Sequence, residues 1–239
     1  MNEQPIKIAI LDSVPKFHWR DDNGVTDGQK FVDLLAPEND NAKFDIFYVS
    51  EYEFPEIIES YDGYLLTGSP VSVHDNYDWI KMLSEFVGHA DNKNKPIVGV
   101  CFGHQLIAEH FGGVVGNNEK GWMIGSFPLE INKKFPWMKN KLDTTDLYHF
   151  NKERVTKLPE GAISFACTED YPDFAYTLGN NIACLQGHPE QPKRAMYNFL
   201  EVTKKVLTEK ELQKARLRIE NGKSDSSIWA QWIMEFFCS

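Results

Sequence analysis

Residues 95–113 read KPIVGVCFGHQLIAEHFGG, and they constrain the fold more than any other stretch of the chain. Ile97-Val98-Gly99-Val100 is a short apolar run suited to a buried strand, and Gln105, Leu106, Ala108, Glu109 and Phe111 continue as a helix that Gly112-Gly113 ends. Between them stands Cys101, with a glycine two residues to either side. A strand that turns into a helix at one residue strains the backbone there and demands small neighbours. It also aims the side chain at the helix N-terminus, where unsatisfied amides and the helix dipole favour a thiolate. The pattern predicts a nucleophile elbow built around sulfur.

The same alternation runs through the first half: IKIAIL, a helix near Gly28 to Ala36, FDIFYV, YDGYLLTG, the helix DWIKMLSEFVGHA, then PIVGV. It predicts an α/β fold, a three-layer sandwich with a mostly parallel central sheet, and ligands at the carboxyl ends of its strands. Thr67 to Pro70, Cys101 and His188 all follow such ends. SFPLEI, SFACTE, FAYTLG and IACLQG read as shorter strands of an antiparallel extension. Helices follow residue 192, the last with a cap at Ser224 or Ser226 and an apolar face of Trp229, Trp232, Ile233, Phe236 and Phe237. That face is expected to pack on the body of the protein, with a homodimer or partner surface as the alternative. The expected division is one domain over 1–205 and a helical C-terminal extension over 206–239.

A nucleophilic cysteine needs a base, and LQGHPE, Leu185 to Glu190, offers one. His188 follows the apolar run Ile182 to Leu185, so it sits past a strand end, with Glu190 two residues on and Pro189 stiffening the link. A carboxylate at that offset can hold one imidazole nitrogen while the other faces the thiol. Cys101, His188 and Glu190 are therefore read as a catalytic triad.

Composition narrows the setting. With 239 residues and 42% hydrophobic content the chain can bury a sizeable core, and its formal charge of −10 argues against nucleic acid. No zinc-type cysteine pairing or phosphate-cradling glycine loop is present, so neither a metal nor a cofactor is expected. Four scattered cysteines, an N-terminus without a signal-like apolar region and the lack of a segment long enough to span a bilayer point to the cytoplasm.

LLTGSP, GVCFGHQ and GHPE, in this order along the chain and each with an apolar strand, resemble the class I glutamine amidotransferases over most of residues 5 to 205. Within them the chain is similar to the amidotransferase domain of GMP synthase and to plant γ-glutamyl peptidases, partly through KGWMIG, Lys120 to Gly125. The resemblance implies a flavodoxin-like catalytic domain that forms a thioester with the γ-acyl group of glutamine or a γ-glutamyl compound and releases ammonia or an amine. Two classes of function follow: a self-sufficient hydrolase, or a subunit that hands ammonia to a separate synthetase. A non-catalytic binding module on the same scaffold is a third. Related proteases and chaperones place histidine directly after the cysteine, where this chain has Phe102.

The amide of Phe102 is expected to give one hydrogen bond to the oxyanion. By resemblance the second donor comes from Gly68-Ser69-Pro70; relatives carry two glycines before the proline, so the Ser69 amide takes that role here and Gly68 supplies backbone freedom. Gln105, one helical turn past Cys101, is expected to offer its amide to the substrate's α-carboxylate or α-amino group. Relatives carry a His-x-Asp-x-Val element where this chain has FNKERV. That puts Asn151 in place of histidine and Glu153 in place of aspartate, with His149 two residues early. Asn151 thus becomes a candidate substrate contact on a loop reshaped for a bulkier γ-glutamyl compound. His104 is expected to face away from the thiol, His89 and His110 to lie on helix surfaces, and His74 on a loop. Cys167 and Cys184 are expected as small core residues, and Trp19 and Arg20 either border the pocket or lie in a solvated loop.

Overall fold

The computed structural model describes residues 4–18 and 24–239. The first half alternates as β1 (Ile6–Asp12), α1 (Asp27–Leu35), β2 (Ala42–Tyr48), β3 (Gly63–Leu66), α2 (Asp78–Asn92), β4 (Ile97–Val100) and α3 (Phe102–His110). Seven strands follow: β5 (Val114–Asn117), β6 (Met123–Ile131), β7 (Thr144–Asn151), β8 (Glu153–Lys157), β9 (Ile163–Thr168), β10 (Tyr171–Leu178) and β11 (Ile182–Leu185). The chain closes with α4 (Lys193–Thr203), α5 (Glu209–Asn221) and α6 (Ser226–Phe237). Among the described residues the main sheet has nine strands in the order β2-β1-β3-β4-β11-β10-β9-β6-β7, and β5 and β8 form a separate antiparallel pair. No helix among them is long and apolar enough to cross a membrane.

The central strands are apolar on both faces, and their alternation divides the core. Ile8 and Ile10 of β1 and Val98 and Val100 of β4 face the layer built from α1 and α6. Ala9 and Leu11 of β1 and Ile97 of β4 face α2 and α3. Residues buried on both sides are what a parallel sheet covered by helices requires. A third cluster, with Ile124, Tyr148, Met196 and Ile219, seals β6 and β7 beneath α4 and α5.

Three sequence readings need correction. The strand in IACLQG belongs to the parallel core, because β11 runs parallel to β4 and only its other edge pairs antiparallel with β10. The FNKERV segment is a strand, a one-residue turn at Lys152 and a second strand, since β7 runs through Asn151 and β8 starts at Glu153. Its charged residues hid the alternation that puts Val155 in the core. The last helix is capped by Asp225. Ser224 and Ser226 instead pair their hydroxyls at 2.8 Å, while the Asp225 carbonyl accepts the amide of Ile228 at 3.0 Å.

α6 fills the helical layer beside α1. Trp229, Trp232, Ile233, Phe236 and Phe237 are all buried in the same core as β1 and β4, and the Trp229 indole donates to Thr145 Oγ1 at 2.8 Å. Burying each such side chain contributes about 1.5–3 kcal/mol, so this helix is part of the sandwich energetically.

Candidate active site

Cys101 links β4 to α3 with φ 51° and ψ −102°, a conformation that costs an L-residue about 1–3 kcal/mol. Neighbouring strand ends hold it there. The Cys101 amide donates to the Leu185 carbonyl at 2.9 Å, the Gly103 amide to the Thr67 carbonyl at 3.2 Å, and the Gln105 amide to the Cys101 carbonyl at 3.0 Å. The flanking glycines are needed for close approach: a Cβ on Gly99 would stand 2.8 Å from the Gly103 carbonyl oxygen, and one on Gly103 would stand 2.8 Å from that of Leu66. The ends of β3, β4 and β11 are thereby brought into one cluster.

His188 enters from the end of β11, its amide donating to the Tyr148 carbonyl of β7 at 2.8 Å. Its Nδ1 lies 2.7 Å from Glu190 Oε1, and its ring and the Cys101 side chain face the same point above Gly68. Burial alone would lower the pKa of this imidazole, but the facing carboxylate and thiol hold it well above the ordinary value. Thiol, imidazole and carboxylate thus form a buried line in which the imidazole is disposed to hold a proton between the other two groups. A Cβ on Gly68 would lie 3.0 Å from His188 Cε1 and 3.5 Å from Cys101 Cβ, so the β3 loop closes directly over this pair.

The amide of Phe102 stands at the first position of α3, where no carbonyl of its own helix can accept it. The Phe102 ring packs on Trp79 with centroids 5.6 Å apart. Ser69 donates its hydroxyl to the Ser13 carbonyl at 2.7 Å, which ties the loop after β3 to the end of β1. Gln105 spends both amide hydrogens, on the Glu153 carbonyl at 2.9 Å and on Gln186 Oε1 at 3.0 Å. A backbone carbonyl can only accept, so this fixes the amide orientation and leaves the Gln105 carbonyl oxygen as the end with capacity to spare. Asn151 donates to the same Glu153 carbonyl at 3.1 Å, and its Oδ1 is buried without a partner. Gln105 and Asn151 therefore meet on one backbone oxygen.

The remaining histidines sit apart from the thiol–imidazole line. His104 is fully buried against Tyr176, with neither ring nitrogen bonded, and desolvation pushes its pKa down to about 3. His110 is half-buried and accepts or donates at 2.9 Å to Ser84 between α2 and α3, so it is a packing residue where a surface position was expected. His74 does lie on a loop, where it meets Glu109 at 2.7 Å and Glu153 at 3.7 Å. Cys184 is a core residue whose thiol burial pushes up to about 12, and Cys167 is half-buried. Trp19 and Arg20 lie outside the described residues.

Gln186 escaped the sequence reading. Fully buried, it accepts from Gln105 and from the Tyr171 hydroxyl at 3.0 Å. A polar residue directly after a wholly buried strand and two before His188 was the available signal. Among the described residues no group of three or more His, Cys, Asp or Glu side chains could hold a metal ion.

Comparison with known proteins agrees with this architecture. The profile of the family Glutamine amidotransferase class-I matches residues 35–202. Gamma-glutamyl peptidase 3 of Arabidopsis thaliana is 27% identical over 216 residues, covering 86% of each chain. The glutamine-hydrolyzing GMP synthase of Wolbachia pipientis is 26% identical over 73% of this chain and 36% of its own length. The crystal structure of a glutamine amidotransferase from Thermotoga maritima superposes with a TM-score of 0.76 at 20% identity, covering 99% of this chain and 97% of the other. This chain belongs to the class I glutamine amidotransferase family.

Proposed function

We propose that this protein hydrolyses the γ-amide bond of glutamine or of a γ-glutamyl compound through a thioester on Cys101. The observation that carries the reading is the buried line from the Cys101 thiol through His188 to Glu190, with the cysteine strained at the N-terminus of α3. The Cys101 thiolate adds to the γ-carbonyl carbon, and the carbonyl electrons move onto oxygen. Amides of Phe102 and Ser69 receive that negative charge. Collapse breaks the C–N bond while the His188 imidazolium gives its proton to the departing ammonia or amine. Water then adds to the thioester as His188 takes its proton, and expulsion of the thiolate frees the γ-carboxylate. Glu190 orients the ring and stabilises its charged form throughout.

Similarity to a γ-glutamyl peptidase along 86% of both chains supports a self-sufficient hydrolase acting on γ-glutamyl compounds. The Gln105 carbonyl oxygen suits the α-ammonium of the glutamyl group, since both amide hydrogens are spent inside the protein. The test is turnover by the isolated protein of glutamine and a panel of γ-glutamyl amides and peptides. Hydrolysis without a second protein is expected. An idle isolated chain that wakes only on addition of a synthetase would overturn the reading in favour of an ammonia-supplying subunit.

A further inference from the structure

We propose that the cavity between β6 and α5 is an anion-binding subsite that receives a carboxylate on the amine side of a γ-glutamyl compound. The inference builds on the hydrolase reading and names the part of the substrate that this flank recognises. The cavity has about 200 Å³ of room. It forms because β6 pairs with β9 only at Glu130 and Ile131, so the first half of β6 lacks a strand on that side. α5 lies against it instead: Gly125, at φ 106°, has no Cβ, and one built there would stand 2.6 Å from Arg218 Cβ.

The cavity lies toward the β6–β7 end of the sheet whose strand β4 leads into Cys101. β6 starts where β7 ends, with Met123 opposite Asn151. Met123 both lines the cavity and packs in the core cluster that contains Cys101. His149, wedged between Phe127 and Phe174, feels the charges of both His188 and Arg218. Backbone geometry links the two sites: the His188 amide bonds the carbonyl of Tyr148, the next residue His149 stands opposite Gly125, and Gly125 backs onto Arg218.

The chemistry of the lining selects an anion. Asp170 is ion-paired with Lys120, and Glu211 is spent on the amide and hydroxyl of Thr208 at 2.8 and 2.7 Å. With Lys120, Lys214 and Arg218 set against Asp170 and Glu211, the lining carries one more positive charge than negative. Arg218 lays its guanidinium 4.2 Å from the centre of the Phe127 ring; its nearest acidic influence is Asp170, already paired. Lys214 feels the charge of Glu211 one turn before it, while the Arg218 guanidinium is held by the Phe127 ring. Asn118, only 6% exposed, accepts the Lys120 amide at 3.2 Å through Oδ1, which leaves its Nδ2 donor buried without a partner. A planar guanidinium over the Phe127 ring, with an ammonium, an amide donor and Trp122 in the same lining, suits a carboxylate on an apolar stem. Lys214 and Arg218 lie beyond residues 35–202, so this recognition stands outside the segment that the family profile matches.

The test compares γ-glutamylphenylalanine with its C-terminal carboxamide, by calorimetry on the Cys101→Ala protein and by kcat/KM on the active one. The acid should bind and turn over about tenfold better, the size of one charge-assisted contact. Arg218→Ala together with Lys214→Ala should erase that ratio while glutamine turnover stays as it was, and Arg218→Lys should leave an intermediate ratio. Lys214→Glu, at an exposed position, gives a second reading should the double variant fold poorly. A ratio of one in the unmodified protein, or a ratio that these variants do not move, overturns the proposal. Phenylalanine that binds through Arg218 without competing with the γ-glutamyl compound also overturns it, since the anion would then be a free ligand. Preferential binding of the acid without any turnover would leave the subsite standing and sink the hydrolase reading instead.

Discussion

The cluster at the ends of β3, β4 and β11 spends its polar groups on itself, whereas the flank at the start of β6 keeps some in reserve. In the first region the Cys101, Gly103 and His188 amides each have a backbone acceptor and His188 Nδ1 has Glu190. In the second, the Asn118 Nδ2 donor is buried without a partner among the described residues and the Arg218 guanidinium rests on the Phe127 ring. A region whose nucleophile, base and carboxylate are fixed by the strand ends supports one geometry and hence one reaction; a region with spare donors can discriminate among ligands. Substitutions in the first should therefore slow all substrates by the same factor, and those in the second should change only the ratio between substrates.

The largest effect should come from Cys101→Ala or His188→Ala, each expected to remove about 10⁴-fold or more of kcat for glutamine and for a γ-glutamyl anilide alike. Glu190→Gln should cost less than the roughly 10⁴-fold seen for an orienting carboxylate in serine hydrolases, because thiolate and imidazolium already attract each other. An electrophilic glutamine analogue should label Cys101 and spare Cys167, Cys238 and the buried Cys184. Equal and complete loss in all three variants, with folding preserved, would show that Glu190 does more than orient the ring.

Gly68→Ala should follow, with about 10²-fold lost in kcat on both substrates and little change in Tm. The new methyl would meet His188 Cε1 at 3.0 Å, so the ring must shift by a fraction of an ångström out of line with the thiol. A loss confined to the larger substrate would mean that Gly68 shapes the pocket and leaves the thiol–imidazole geometry alone.

The committed region was the more legible in sequence, and for a physical reason. An elbow writes itself into a few adjacent residues: an apolar strand, small neighbours around Cys101, and a helix start. His188 and Glu190 share one short segment as well. The flank is assembled from distant pieces. Arg218 meets Phe127 across 91 positions of sequence, a separation read from their numbering, and nothing local announces the contact. β7 and β8 were hidden by the exposed Lys152 between them and by His149, Asn151 and Glu153, polar residues whose burial depends on what α4, α5 and β10 place around them. β11 could be recognised as a strand but not as a parallel one, because direction follows from the crossover and leaves no mark in IACL.

Stability should not divide along the same line as activity, since each region buries one neutral histidine. Burial brings His104 and His149 down to about 3, against 6.5 for an exposed ring. Below pH 6.5 the unfolded chain takes up protons that the native state refuses, so stability falls with pH until about 3. By pH 5 each histidine should have cost roughly 2 kcal/mol. Asp12 works the other way: burial raises it to about 6, so its contribution is present at low pH and is lost as pH rises through about 6. Urea unfolding at pH 5 and pH 7 should show a smaller difference in His104→Leu and in His149→Leu than in the unmodified protein. An unchanged difference in either would mean that its ring is protonated or rehydrated in the native state.

Asn151→Ala should give the smallest effect and test the border between the two regions. Asn151 touches the committed cluster through Glu153, whose carbonyl it shares with Gln105, and it stands opposite Met123, which lines the cavity. Losing its hydrogen bond removes about 1 kcal/mol from the turn that aims Gln105, while Gln105 still donates to the same oxygen. KM for glutamine and for γ-glutamylphenylalanine should rise together by about fivefold, with kcat and Cys101 labelling unchanged. A common rise places Asn151 with the cluster that grips the glutamyl group shared by both substrates. A rise for γ-glutamylphenylalanine alone would move it to the flank, as a residue that reads what lies beyond the scissile bond.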